Sequence, residues 1–402
     1  MGSKFTLGNR RVVVIAVATT LLLATAVVAI QPAQAQTLTV LYSFTGGADG
    51  GQPYSSLIFG PQGKLYGTTA VGGANGYGVA FVVNTRNNKE KVLHDFTLDD
   101  GANPWAGLLY DGKTHKLYGT TEAGGASGFG TVFEIHGNGT QFKVIYDFAG
   151  GSDGSYPFCQ LIRSNHNGKL YGTTYRGGAT DSGTVFSLSG TGKEKVEYSF
   201  QGGEFGENPY AGLAQDSDGR LYGITFGDFT GDYGTVFRAG KSGGRGKILH
   251  TFTGGDDGGF PYFGGLVADP AGNFFGTTSF GGANKYFGTV YKINKNGKQT
   301  VLYSFTGGTD GGQPNAGLVR DSAGNLYGTT VGGGAFGHGT IFELDKNGTE
   351  TVLYSFAGGT DPAGPNASLL LDGAGNLYGT SIAGGTYTAG TIFVLTRDHG
   401  GR

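Results

Sequence analysis

The sequence predicts an all-β chain folded as a seven-bladed β-propeller with four-stranded blades. Three observations carry that reading. Three separate phrases recur at one period, each repeat divides into four strand-like runs, and each end of the chain lacks what the other supplies.

The period comes first. A phrase of the form Leu-Tyr-Gly-Thr-Thr (326–330) centres on Tyr66, Tyr118, Tyr171, Tyr222, Phe275, Tyr327 and Tyr378, at successive gaps of 52, 53, 51, 53, 52 and 51 residues. A second phrase, Val-Leu-Tyr-Ser-Phe, ends at Phe44, Phe96, Phe148, Phe200, Phe252, Phe305 and Phe356, and a proline follows each time. A third, Gly-Thr-Val-Phe, closes on Phe81, Phe133, Phe186, Phe237, Tyr291, Phe342 and Phe393. Three phrases that keep one spacing mean seven copies of one structural unit. The copies fill residues 36–402 and leave no room for another domain.

Each copy reads as a meander. In the sixth, a small and apolar run (315–321) leads through a glycine turn to the Leu-Tyr-Gly-Thr-Thr strand. A glycine-rich loop (331–339), a third strand (340–344), an Asn-Gly hairpin signal and a fourth strand (351–356) follow. Val, Ile, Tyr, Phe and Thr dominate the runs, as strands prefer. Four antiparallel strands per repeat match a propeller blade. A stacked solenoid has a shorter unit and needs atypical end caps.

The ends decide between ring and stack. Residues 37–44 are a fourth strand with no first three before it, and 390–396 are a third strand with no fourth after it. The N-terminal strand is therefore expected to complete the last blade and remove the exposed edges. Lys89, Glu90, Lys193 and Glu194 lie just before fourth strands, which are expected to be the outer, wet edges.

Composition agrees with a packed chain. The 82 glycines would suggest disorder if aromatics were scarce, but 22 Tyr and 28 Phe supply a core. The one cysteine, Cys159, has no partner for an internal disulfide, so packing must hold the fold, and a buried, inert thiol is expected. Residues 1–35 read as a secretory signal: Lys4, Arg10 and Arg11, an apolar stretch from Val12 to Ile30, and a small-residue exit at Ala33-Gln34-Ala35. An uncleaved membrane anchor is the alternative. Cleavage takes the formal net charge from −2 to −5 and leaves no further apolar span, so a secreted or periplasmic monomer is expected. A mildly acidic chain with no Lys/Arg run excludes nucleic acid as a partner.

The phrases Leu-Tyr-Gly-Thr-Thr…Gly-Gly…Gly-Thr-Val-Phe and Val-Leu-Tyr-Ser-Phe…Gly-Gly resemble those of the secreted bacterial tandem-repeat proteins called GloVer, or choice-of-anchor, repeats. The resemblance covers nearly all of 36–402. It implies export and repeat architecture and carries over no catalytic motif. Members often end in an anchoring segment; the Thr-Arg-Asp-His-Gly-Gly-Arg end here has no apolar tail, which favours free export. A weaker likeness to kelch repeats adds nothing about function.

In a propeller the loop from fourth to first strand and the loop from second to third emerge on one face, around the channel mouth. Both are glycine-rich here. A residue present in every copy serves the blade, whereas a site at one spot needs residues that break the pattern. The recurring Asp49, Asp100, Asp153, Asp257, Asp310 and Asp361 therefore read as turn caps. One carboxylate per loop falls short of a dedicated calcium site, and no His/Cys cluster suggests a transition metal, so no cofactor is expected, calcium being the one candidate. His94 and His250 replace the tyrosine of the second phrase and read as packed or edge residues.

The position after each proline varies: Tyr54, Trp105, Phe158, Tyr210, Tyr262, Asn315 and Asn366. Opening the innermost strand, these residues are expected to ring the channel mouth, five aromatics on one arc and two amides on the other. They either pack as local core under the loops or form a platform on which sugar rings stack. The fourth blade departs most from the pattern. Glu207 and Asp228 lie in its two loops and Arg176 stands in the blade before, a constellation suited to acid/base cleavage of a polysaccharide, or to drift in tolerant loops. Three functions follow: binding of an extracellular glycan or polymer, polysaccharide cleavage, or display of surfaces to other envelope proteins.

Overall fold

The computed structural model describes Gly2 and residues 36–228, 230–240 and 246–397. The segment read as a signal, Gly2 apart, lies outside the described residues. Among these the strands form seven four-stranded antiparallel sheets, each in sequence order except the last, and one two-stranded pair of Pro362–Ala363 with Ala383–Gly384. The seventh is assembled from both ends: Leu370–Leu371, Leu377–Ser381 and Thr391–Arg397 are joined by Gln36–Ser43 at the outer edge. Its register runs from Gln36 opposite Arg397 to Ser43 opposite Thr391. The protein is a closed seven-bladed β-propeller.

The three recurring phrases interlock, which is why they recur. Gly67 lies opposite Phe81 in the second and third strands of the first blade. A Cβ at Gly67 would fall 2.6 Å from Phe81 Cζ, so only glycine leaves room for the ring. On that ring sits Phe44, edge-on at a centroid distance of 5.1 Å, from the outer strand of the preceding blade. The same edge-to-face pair recurs at every junction, at 4.9 to 5.3 Å. Each pair is worth ~0.5–1.5 kcal/mol beyond the area it buries. Blade is thus fastened to blade by the same aromatics that fill each blade.

The two threonines do different work. The first donates across the junction to the inner segment of the next blade, as in Thr68 Oγ1 to Ala106 O at 3.0 Å and Thr380 Oγ1 to Ser55 O at 3.1 Å. The second stays in its blade and bridges the second and third strands, as in Thr330 to Thr340 at 2.9 Å. Glycines close the loop between these strands: Gly78, at φ +88°, carries Thr69 O and Pro104 Cδ where a side chain would be.

Two expectations are corrected. The innermost strands are short, for example Ile58–Phe59 and Val319–Arg320, so the post-proline residues precede the strand rather than open it. The reason is local: in the first blade Ser55 Oγ, not a strand partner, takes the Thr68 N–H at 2.9 Å, and in the third blade Cys159 Sγ takes that of Thr173 at 3.0 Å. Cys159 is 1 % exposed and burial raises its thiol pKa. The second correction concerns Glu90 and Glu194. Each is half-buried, with Oε1 shut off from solvent, and lies near an aspartate of the glycine-rich loop that leads into its own blade, Asp49 for Glu90 and Asp153 for Glu194.

Candidate functional site at the channel mouth

The two glycine-rich loops of a blade meet on one face. Gly51 pairs with Val71, Ala102 with Ala123, Ser155 with Arg176, Gly259 with Phe280 and Gly312 with Gly332. The recurring aspartates hold the first loop: Asp310 takes the Thr306 N–H at 2.8 Å and the Tyr303 hydroxyl at 3.0 Å. Where histidine replaces tyrosine, His94 and His250 reach Asp100 and Asp257 in the same way, both at 3.1 Å. Among the described residues no group of three or more His, Cys, Asp or Glu is placed to hold a metal ion.

A second recurring lock fixes the mouth itself. The residue before each proline is left-handed, from Gln52 (φ 51°) to Gly364 (φ 61°), and includes Tyr156 and Phe260, which bear that conformation at some cost. Its carbonyl accepts the N–H of the residue after the threonine pair: Glu122 to Asn103 at 3.1 Å, Tyr175 to Tyr156 at 3.1 Å and Phe226 to Asn208 at 3.0 Å. Post-proline and post-threonine side chains are thereby held next to one another around the opening.

The post-proline aromatics make one continuous arc. Ring centroids are 4.4 Å apart for Tyr54 and Trp105, 6.4 Å for Trp105 and Phe158, 4.5 Å for Phe158 and Tyr210, and 5.0 Å for Tyr210 and Tyr262. Opposite them Asn315 donates to Asn366 at 3.1 Å. Tyr175 and Phe226 form a second tier against Tyr210, at 5.0 and 6.0 Å.

Phe263 completes the wall. Pro261 and Leu266 enclose one residue more than Pro53 and Leu57 or Pro209 and Leu213, and the lengthened segment carries the phenylalanine. Its ring lies 4.1 Å from Tyr262, 5.4 Å from Tyr210 and 6.2 Å from Tyr54 of the first blade, across the opening. The insertion has a counterpart next door. Ile224 stands where the other blades have the junction-crossing threonine, and packs into the apolar cluster between the fourth and fifth blades.

The arc divides the channel into two cavities. An outer one of about 220 Å³ is walled by Tyr54, Trp105, Phe158, Tyr210, Tyr262 and Phe263, with Glu122 and Asn366. An inner one of about 350 Å³ continues below Tyr54, Trp105, Phe158, Tyr210 and Phe263, with Gln160, Ser56, Ser368 and Asn366 among its polar groups. Asn315 lines neither. Trp105 donates its indole N–H to Glu122 Oε2 at 2.5 Å, and burial raises the Glu122 carboxyl above its ordinary value, partly opposed by that bond. Burial likewise raises the hydroxyls of Tyr54, Tyr210 and Tyr262, which stay neutral.

Glu207, Asp228 and Arg176 share this face but line neither cavity. The fourth blade's loops are joined by Gly227 N–H to Glu207 O at 3.3 Å. Burial, then repulsion from Asp228 and Asp232, raises the Glu207 pKa against the pull of Arg176. Asp228 is tied into its own turn by the Thr230 N–H at 2.8 Å and hydroxyl at 2.5 Å, which lower its pKa. Arg176 lies over the Tyr175 ring at 5.1 Å.

Glu122, Tyr175 and Phe263 escape the sequence reading. For the first two the signal was the varied position directly after a fixed Thr-Thr pair; for Phe263 it was the single extra residue between proline and leucine.

The Gloeobacter/Verrucomicrobia repeat matches residues 24–237 and 208–402. No curated protein matches the chain. Among solved structures an oligogalacturonate lyase in complex with manganese is similar at a TM-score of 0.59 and 11 % identity, over 91 % of this chain and 94 % of that one. The oligogalacturonate lyase of Vibrio parahaemolyticus is similar at 0.53 and 10 %, over 89 % and 93 %. A putative 6-phosphogluconolactonase of Bacteroides fragilis follows at 0.49 and 16 %, over 78 % and 85 %.

Proposed function

The chain belongs to the Gloeobacter/Verrucomicrobia repeat family, and on that premise we propose that this member is an exported propeller that binds an extracellular glycan at its channel mouth. One observation carries the reading: an unbroken arc of aromatic rings around an open cavity of about 220 Å³. Sugar rings present apolar C–H faces that stack on such rings, while amides such as Asn366 bond hydroxyls. The left-handed residues and their hydrogen bonds hold the arc before a ligand arrives, which lowers the ordering cost of binding. The likeness to the lyases is one of fold and brings no catalytic residue to this chain. The segment 1–35 supports delivery to the periplasm or medium.

The test is a glycan panel screened with residues 36–402, wild type and Trp105→Ala, with depolymerisation followed in parallel. Saturable binding lost in the folded variant supports the reading; binding that survives the substitution removes it. One observation favours a second reading, polysaccharide cleavage. The raised Glu207 pKa suits a proton donor, with Asp228 as its partner and Arg176 as an anion holder. Product formation that persists in Glu207→Gln/Asp228→Asn rules that out.

A further inference from the structure

We propose that the glycan taken by the mouth carries a free amino group, an amino sugar unit whose ammonium sits among the aromatic faces against Glu122. This deepens the glycan reading and rests on it.

Among the described residues Glu122 is the one carboxylate that lines the outer cavity. The residue after the threonine pair is Ala70, Glu122, Tyr175, Phe226, Ser279, Val331 and Ile382 in the seven blades. Only the second blade places an ionisable carboxylate there, and only that carboxylate lines the outer cavity. Its Oε2 takes the Trp105 N–H, which orients the group. Among the described residues no donor reaches Oε1 and no lysine or arginine lines the cavity. Glu122 is half-buried, and the chain supplies no cation to this carboxylate, so a cationic group of the ligand can take that place.

The surroundings are what a cation needs. Trp105 lies beside Glu122, and Tyr54, Phe158, Tyr210, Tyr262 and Phe263 wall the same space. An ammonium over such faces is attracted by the ring quadrupole, and more strongly where water is excluded. A neutral sugar would leave Glu122 uncompensated; an amino sugar supplies the missing charge and keeps the stacking face. The bond from Trp105 couples the two, since the ring that stacks also aims the carboxylate.

The experiment compares three probes of equal length on residues 36–402: a β-linked glucosamine oligomer, its N-acetylated form and an unsubstituted glucan. The glucosamine oligomer is expected to bind about tenfold tighter than the other two. That preference should vanish in Glu122→Gln, which can still accept from Trp105, and shrink as salt rises. Equal affinity for the three probes overturns the inference and leaves the glycan reading standing. A preference unchanged in Glu122→Gln and insensitive to salt overturns it as well. No binding of any probe overturns both.

Discussion

Phe263 faces Tyr54 across the channel mouth with ring centroids 6.2 Å apart, a contact between the fifth blade and the first. The phenylalanine owes its place to a one-residue insertion after Pro261, and the preceding blade carries Ile224 where a threonine would reach toward that segment. The two departures are expected to go together, the inserted residue shifting the carbonyl that a threonine at 224 would use. Ile224→Thr alone should destabilise by ~1–3 kcal/mol, because it buries a hydroxyl with no acceptor. Combined with deletion of Phe263, its cost should fall. Chemical denaturation of the two single variants and the pair checks this; additive costs would break the link.

Phe263→Ala should leave the fold intact, since the residue is only half-buried. It removes one wall of the outer cavity, so affinity for a bound oligosaccharide should drop by about three- to tenfold. Calorimetric titration of variant and wild type reads this directly.

The interlock of glycine and ring makes a sharper claim about stability. A Cβ at Gly328 would stand 2.6 Å from Phe342 Cζ and 2.9 Å from Leu318 Cδ2. Gly328→Ala should therefore cost ~1–3 kcal/mol by overpacking. Added to Phe342→Leu it should cost less, since the smaller side chain yields the space. Unfolding curves that give the same penalty in both backgrounds would contradict the packing argument.

Closure of the ring is tested by a covalent latch. Thr37 and Thr396 are exposed partners in the seventh blade, and Cys159 is buried and out of reach. Thr37→Cys/Thr396→Cys, oxidised, should raise stability by ~2–4 kcal/mol over its reduced form. Removing residues 36–43 should instead expose the 391–397 edge and produce association.

Stability should also fall as pH rises. Burial, with Asp49, Asp153 and Asp310 nearby, pushes Glu90, Glu194 and Glu350 up to about 7. A carboxyl raised in the folded state favours the protonated form. Its contribution is thus full below the ordinary carboxylate value, near 4.5, and is lost as pH passes about 7. In the fifth blade Gln299 occupies the equivalent place and donates to Asp257 O at 3.1 Å, which shows that a neutral isostere fits. The triple Glu→Gln variant should match wild type at pH 5 and melt about 2 °C or more higher at pH 8.5. Parallel melting curves at both pH values would refute the assignment.

The fold was legible because seven copies repeat every constraint: the Gly67–Phe81 fit, the Phe44 edge and the threonine pair each appear as a phrase. The missing and spare strands at Thr37 and Thr391 showed the closure for the same reason. What the repeat hides is contact between copies. Glu90 looked wet because it stands on an outer strand, and the loop aspartate near it, Asp49, is 41 residues away in the sequence. Glu122, Tyr175 and Phe263 were illegible on the same ground, since their meaning depends on which side chains from other blades share the opening. Tyr54, Trp105, Phe158, Tyr210 and Tyr262 stood out as a register of unlike residues after a constant proline, and the structure brings them together.

Entry of a ligand between these rings can be followed directly, because the protein carries its own reporter. Trp105 is the only tryptophan in the chain and stands in the wall of the outer cavity. Titration of residues 36–402 with an oligosaccharide that binds by calorimetry should change the tryptophan emission along the same saturation curve. Calorimetric binding with an emission that stays constant would place the ligand elsewhere and contradict the account.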